Sequence, residues 1–211
     1  MGTGTKKMLA GAAAMLAPLC APAAFAHHML GGRLPGTVWQ GLLSGLGHPI
    51  IGIDHFAFMV GVGFMSYIVG RVMLLPLLFI IGSITGCFVH VYNISLPWSE
   101  LAIAISLALA AAMVGARARA PIGVLAALIT VAGGAHGYAY GESIVGAEPA
   151  PLAAYIVGFG IIQYAIAVGS GVALSVLARR PSFPERTVMR AASSGFALVA
   201  CVMIVNLILS G

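Results

Sequence analysis

Charged residues are scarce in this chain of 211 residues, because Asp, Glu, Lys and Arg together make up only 7% of it. An average soluble domain has about 25% charged residues. Hydrophobic residues make up 61% and fall into apolar runs, several of which reach the roughly 20 residues that a helix needs to cross a bilayer. The composition therefore excludes a soluble globular domain and predicts an all-α integral membrane protein.

Cysteines and nucleotide-binding motifs are also scarce or missing. The three cysteines (Cys20, Cys87 and Cys201) lie in apolar surroundings and form no disulfide framework. No P-loop is present, so we expect no ATPase activity from this chain itself, and we do not expect an enzyme. The formal charge of +5 comes largely from arginines between apolar runs. These arginines indicate membrane topology rather than a nucleic-acid partner.

Residues 1–26 have the three parts of a cleavable signal peptide, namely a basic start, an apolar centre and a small-x-small cleavage site (Lys6-Lys7, residues 8–20 and Ala24-Phe25-Ala26). The alternative is a retained first helix. Cleavage would make His27 the new N-terminus, followed by His28. We then expect residues 27–48 to form a periplasmic segment with a short helix at the membrane surface.

Six further apolar runs predict about six transmembrane helices in one bundle, which forms a domain over residues 49–211. The predicted spans are residues 49–69, 72–92, 98–116, 121–140, 152–178 and 187–209. Small residues are frequent in these runs, and Gly82 and Gly86 form a GxxxG pair. Because small residues let helix backbones approach closely, we expect a tightly packed bundle.

The positions of the basic residues predict the orientation in a bacterial inner membrane. If the mature N-terminus is periplasmic, six spans place seven of the eight remaining basic residues on the cytoplasmic side (Arg71, Arg117, Arg119, Arg179, Arg180, Arg186 and Arg190). The loops at residues 93–100 and 141–151, which fall outside, contain no Lys or Arg. This asymmetry follows the positive-inside rule.

The predicted topology places all six histidines in the periplasmic half of the protein. Four of the five acidic residues fall in the same half (Asp54, Glu100, Glu142 and Glu148). Imidazole and carboxylate are ligands that suit divalent transition metals such as Ni²⁺, Co²⁺ or Zn²⁺. The distribution therefore indicates capture of a metal ion from the periplasm.

The segment Gly47–Phe56 is the strongest candidate site, because His48, Asp54 and His55 open a long apolar run. An ionisable residue inside a membrane span indicates function by default. His48 and His55 are seven residues apart, so they share one face of a regular helix. Pro49 suits a first helical turn, which predicts that the helix begins there, with His48 at its mouth.

Four other residues of the transmembrane domain are weaker candidates. His136 shares a helix face with Tyr140, and Glu142 lies just beyond. His90 suits either a metal ligand or a polar seam between helices. Glu100 stands at the start of a span, where a carboxylate also complements the helix dipole without any further role.

The pattern His-Pro-x-x-Gly-x-Asp-His-x-x-Phe, residues 48–58, resembles the signature of the HupE/UreJ family. These hydrogenase- and urease-associated membrane proteins are regarded as nickel or cobalt permeases. The resemblance implies that His48, Asp54 and His55 form the essential metal-handling motif, to which His136 and a nearby glutamate contribute. Two departures indicate a divergent branch: Tyr140 stands where many relatives have a second histidine, and the acid is displaced by one position to Glu142.

The leading hypothesis is a secondary permease that takes up a divalent metal cation, nickel before cobalt. His27 and His28 would scavenge the ion, and the motif at residues 48–55 would replace its water shell. Four side chains would complete the site (His136, Glu142, His90 and Glu100). The expected partners are the lipid bilayer and the metal, with a second copy of the chain or metalloenzyme maturation proteins as further candidates.

Two alternatives remain open at the level of the sequence. The first is a non-transporting membrane protein that binds copper or zinc at the periplasmic face, as a receptor or metallochaperone. A processed His27 could bind copper through its amine and its ring. The second is a membrane-embedded hydrolase in which the same ligands hold zinc with an open water position.

Overall fold

The computed structural model describes residues 33–210, and all regular secondary structure in that range is α-helical. The predicted signal peptide, His27 and His28 lie outside the described residues. The helices are α1 (Val38–Ile51), α2 (Ile53–Ile68), α3 (Leu74–Val91), α4 (Ser99–Ala116), α5 (Ile122–Glu142), α6 (Pro149–Leu177) and α7 (Glu185–Ser210).

The helices account for about six membrane spans. Five of them, α3 to α7, are each long and apolar enough to cross a membrane. The helices α1 and α2 make a sixth candidate span when taken together, although they are bent by 78° relative to each other. The prediction of an all-α membrane protein with about six spans is therefore confirmed.

The prediction that a helix begins at Pro49 is wrong, because α1 runs through His48 and Pro49 to Ile51. The break comes at Gly52, whose backbone is extended, with φ −71° and ψ 103°. The N–H of Gly52 still donates to the carbonyl of His48 at 3.1 Å, and its carbonyl accepts from the N–H of Phe56 at 2.8 Å. Gly52 therefore keeps its own backbone hydrogen bonds, one to α1 and one to α2, although the helix bends at this residue.

Glycines lie where helices pack most closely. The largest helix contacts are α3 with α5, α1 with α6, and α4 with α7. A Cβ atom on Gly86 would collide with the backbone carbonyl of Gly134, and one on Gly45 would collide with that of Tyr155. Only glycine permits these approaches, so the expected tight packing is confirmed at both contacts.

The arginine-bearing connections lie together at one end of the bundle. Arg117, at the end of α4, forms a 2.6 Å ion pair with Glu185, the first residue of α7. The hydroxyl of Tyr67 in α2 donates to the same carboxylate at 3.2 Å. These contacts tie three helices together at the end opposite His48 and His136.

Candidate functional site

Three histidines and one aspartate are buried together near the other end of the bundle. His48 comes from α1, Asp54 and His55 from α2, and His136 from α5, and each is at most 7% exposed. The ring centroids of His48 and His55 are 5.8 Å apart, and those of His55 and His136 are 5.0 Å apart. We call these four residues the histidine cluster. Burial of so many ionisable groups in an apolar bundle is costly, which indicates a function.

The bend at Gly52 brings His48 close to His55. In a straight helix, residues seven apart are separated by about 10 Å along the axis. The bent pair of helices instead holds the two rings in near contact. The bend also places Asp54 in the first turn of α2, where the helix dipole favours a carboxylate.

A chain of hydrogen bonds fixes the tautomers of His136 and His55. The hydroxyl of Ser106 donates to the carbonyl of Ile103 at 2.7 Å, which can only accept. Ser106 therefore accepts from Nε2–H of His136 at 3.0 Å. The Nδ1 atom of neutral His136 is then an acceptor, so Nδ1–H of His55, 2.8 Å away, must be the donor.

These tautomers assign different roles to the two rings. His55 keeps a lone pair on Nε2, and this is the form in which imidazole binds a metal. Both nitrogens of His136 make hydrogen bonds, to His55 and to Ser106. In this arrangement His136 accepts from Nδ1–H of His55 and orients that ring, the role that a carboxylate or backbone carbonyl usually has behind a metal-ligating histidine.

His48 is held by hydroxyl groups. Its Nδ1 atom lies 3.1 Å from Oγ of Ser143 and 3.0 Å from the hydroxyl of Tyr155. Both hydroxyls also reach the backbone carbonyl of Tyr140, which can only accept. The contacts are best satisfied when Nδ1 of His48 donates, which places the lone pair of this ring on Nε2 as well.

Aromatic rings enclose the histidine cluster. Phe58 stacks on His136 with centroids 4.5 Å apart, and Phe79 meets the same ring edge-on at 5.7 Å. Tyr140 lies 4.5 Å from His55 and 5.0 Å from His48. Tyr140 therefore lies beside both ligand candidates, His48 and His55.

The other predicted ligands within the described residues lie elsewhere. Glu142 and Glu100 are exposed, and the residue that reaches His48 is Ser143, the neighbour of Glu142. His90 is half-buried and its Nδ1 atom lies 2.8 Å from the carbonyl of Tyr138, as expected for a polar seam between α3 and α5. A ligand role for these three residues stays a prediction.

Within residues 33–210, no three His, Cys, Asp or Glu side chains are arranged so that they could hold one metal ion. Any ion bound at the cluster in this conformation would therefore need donors of another type. Ser106, Ser143 and Tyr155, which position the rings, were missed at the level of the sequence. Their contacts join residues 30 to 107 positions apart, and single hydroxyls in helices give no pattern that would reveal them.

An apolar cavity of about 520 Å³ adjoins the cluster between α3, α4 and α5. Its lining includes Phe58 and Ser106, two of the residues that contact His136, but none of the cluster residues themselves. Most of the remaining lining is aliphatic (among others Leu96, Ile105, Leu109, Leu125 and Leu128). The cavity therefore does not offer a ligand shell for a cation.

Comparison with known proteins identifies a family that this chain matches. The family model described as "HupE / UreJ protein" matches residues 13–203. The chain is 31% identical over 159 residues to "Protein HupE" of Rhizobium leguminosarum bv. viciae, which covers 73% of this chain and 79% of the relative. No solved structure matches the chain.

Proposed function

Because this chain belongs to the HupE/UreJ family, we propose that it is a secondary permease for a divalent transition-metal cation, nickel first and cobalt second. It would take up the ion from the periplasm across the bacterial inner membrane. The observation that carries the proposal is the histidine cluster, which is buried inside an apolar helical bundle. Such a cluster is an expected feature of an ion pathway through a membrane.

The cluster supplies part of the chemistry that a partly dehydrated cation needs. The Nε2 lone pairs of His48 and His55 are neutral nitrogen donors, which suit nickel and cobalt. Asp54 supplies negative charge, and a divalent ion is expensive to bury without it. His27 and His28 would collect the ion before it enters, and Glu142, His90 and Glu100 would assist during entry.

The packing next to the cluster favours a second candidate function. Phe58, Met59 and Val62 follow the cluster along α2 and are buried in a continuous apolar core. In this conformation no polar route leads onward through these residues. A non-transporting protein that binds copper or zinc at the periplasmic face would need no such route.

Metal uptake by intact cells separates the two candidates. Cells that express the parent chain and cells with an empty vector would be incubated with radioactive nickel, and separately with cobalt, zinc and copper. The permease proposal predicts nickel accumulation above the vector control. Absence of uptake for all four metals, together with a metal that copurifies with the protein, would support the binding protein instead.

The proposal extends to location and partners. We place the mature N-terminus in the periplasm and the arginine-bearing connections in the cytoplasm, as the basic residues predict. A second copy of the chain and maturation proteins of metalloenzymes are the partners proposed for the assembled permease.

A further inference from the structure

Gln163 is a fully buried polar side chain that the site described above does not use. It lies on the buried face of α6, between Phe159 and Ala167, and is 0% exposed. Neither its amide oxygen nor its amide nitrogen forms a hydrogen bond within the described residues. Each unsatisfied buried polar group costs about 1–3 kcal/mol, and native proteins contain few of them.

A second unsatisfied group lies beside Gln163. The hydroxyl of Tyr140 is buried and lacks a hydrogen-bond partner in the same part of the chain. The Gln163 carboxamide approaches this hydroxyl, without reaching hydrogen-bond geometry. Since the ring of Tyr140 contacts the rings of both His48 and His55, the two unsatisfied groups adjoin the histidine cluster.

The position of Gln163 along α6 shows on which side of the histidine cluster the two unsatisfied groups lie. Tyr155, which contacts His48, lies eight residues earlier on the same helix face. Eight residues correspond to about 12 Å along the axis. Because α6 ends at the arginine-bearing end of the bundle, Gln163 lies deeper in the protein than the contact between Tyr155 and His48.

We propose that the Gln163 carboxamide oxygen and the Tyr140 hydroxyl form a second binding station, which receives the divalent cation from the histidine cluster. This inference rests on the proposed permease function. Both donors are neutral oxygens, which hold nickel or cobalt more weakly than imidazole does, and Asp54 of the adjoining cluster supplies the negative charge that a buried divalent ion needs. Weak binding suits a transfer step, because an ion that conducts must be able to leave each site it enters.

The purely structural alternative makes a different prediction. If a buried water satisfies the two groups, replacing them with apolar side chains of similar size only removes polar atoms from an apolar interior. Nickel binding and nickel uptake then stay unchanged. If the groups bind the cation, the same substitutions block transfer from the cluster. The two roles are therefore separable by measuring nickel binding and nickel uptake on the same variants.

The test uses the full-length chain carrying Tyr140→Phe, Gln163→Leu or both, with Tyr164→Phe as the matched control on α6. Radioactive nickel uptake into cells would be measured beside nickel bound by the purified proteins. We expect uptake to fall about tenfold in each variant, as when a supporting group is removed from a metal site. Nickel binding at the cluster should persist. Uptake by the double variant should be no lower than uptake by the less active of the two single variants.

Gln163→Glu provides a signature that a structural role would not produce. A carboxylate at this station would hold the cation more tightly, so nickel binding should increase while uptake slows. Uptake and binding equal to those of the parent in Tyr140→Phe, Gln163→Leu and Gln163→Glu would overturn the second station and leave the permease proposal intact. Loss of nickel binding along with uptake in Gln163→Leu would also contradict a station separate from the cluster. A parent that neither takes up nor binds nickel, cobalt, zinc or copper would overturn both proposals.

Discussion

At the scale of single residues, the hydrogen-bond chain from Ser106 through His136 to His55 determines which nitrogen of each ring keeps its lone pair. Ser106→Ala removes the acceptor for Nε2–H of His136, so the ring is no longer held in the tautomer that accepts from His55. We expect the affinity of the purified protein for nickel to fall by about tenfold, as for other groups that orient metal ligands. Titration calorimetry would measure this change.

Ser66→Ala is the matched control for this prediction. Ser66 is also fully buried, and its hydroxyl donates only to the carbonyl of Val62 in its own helix. Equal affinities for nickel in the two serine variants would show that the tautomer of His136 does not control the site.

The sequence identified the residues of the histidine cluster but not the side chains that position them. His48, Asp54, His55 and His136 were recognisable because ionisable residues are rare in apolar runs. A buried serine, in contrast, is unremarkable in a transmembrane helix. Its role as a hydrogen-bond acceptor follows only from the packing of α4 against α5.

At the scale of helices, the break at Gly52 sets the geometry of the cluster. A Cβ atom at this position would lie 2.7 Å from Cδ2 of His55 and 3.2 Å from Oδ1 of Asp54. The backbone of Gly52 is compatible with alanine, so Gly52→Ala should displace the His55 ring rather than unfold the bend. We expect lower nickel affinity with little change in thermal stability, measured on the same purified sample.

Gly169→Ala is the control for the bend. A Cβ atom at Gly169 meets nothing within 4 Å, so alanine should stabilise α6 by about 0.5–1 kcal/mol and leave nickel binding unchanged. If Gly52→Ala binds nickel as tightly as Gly169→Ala does, the bend does not position His55 for metal binding.

The contact between α3 and α5 supports a prediction about stability. A Cβ atom at Gly137 would collide with the backbone of Ser83, whereas one at Gly134, three residues earlier on α5, meets nothing within 4 Å. Gly137→Ala should therefore destabilise the bundle by about 1–3 kcal/mol, the usual cost of overpacking. Gly134→Ala should leave stability nearly unchanged.

Thermal unfolding in detergent, followed by helical circular dichroism, would compare the two glycine variants. Equal unfolding midpoints for the two variants would mean that α3 and α5 can move apart without loss of stability, contrary to the close contact in the structure.

Most helix boundaries were predictable from the sequence, whereas the start of the first predicted span, at Pro49, was not. Apolar runs bounded by arginine, proline or polar loops gave the extents of α3 to α7 to within a few residues. Pro49 misled the prediction, because a proline near the end of a helix removes only one backbone donor. The bend instead follows at Gly52, where the extended backbone keeps hydrogen bonds on both sides.

At the scale of the whole molecule, the distribution of charge predicts the orientation in the membrane. Ser95 lies in the arginine-free connection between α3 and α4, and Ser182 lies in the connection between α6 and α7. Both are exposed. In a chain whose Cys20, Cys87 and Cys201 are replaced by alanine, Ser95→Cys should react with a membrane-impermeant maleimide on intact spheroplasts. Ser182→Cys should react only after permeabilisation, and the reverse pattern would invert the proposed direction of uptake.

Nickel uptake into proteoliposomes tests the central claim most directly. Purified parent protein, Asp54→Asn and the control Glu148→Gln would be reconstituted at equal density around a trapped nickel-sensitive dye. Because Asp54 is the only carboxylate of the buried cluster and Glu148 is an exposed residue that the proposed site does not use, we predict uptake by the parent and by Glu148→Gln, and its loss in Asp54→Asn. Equal uptake by all three proteins, or none by the parent, would contradict a permease that works through the histidine cluster.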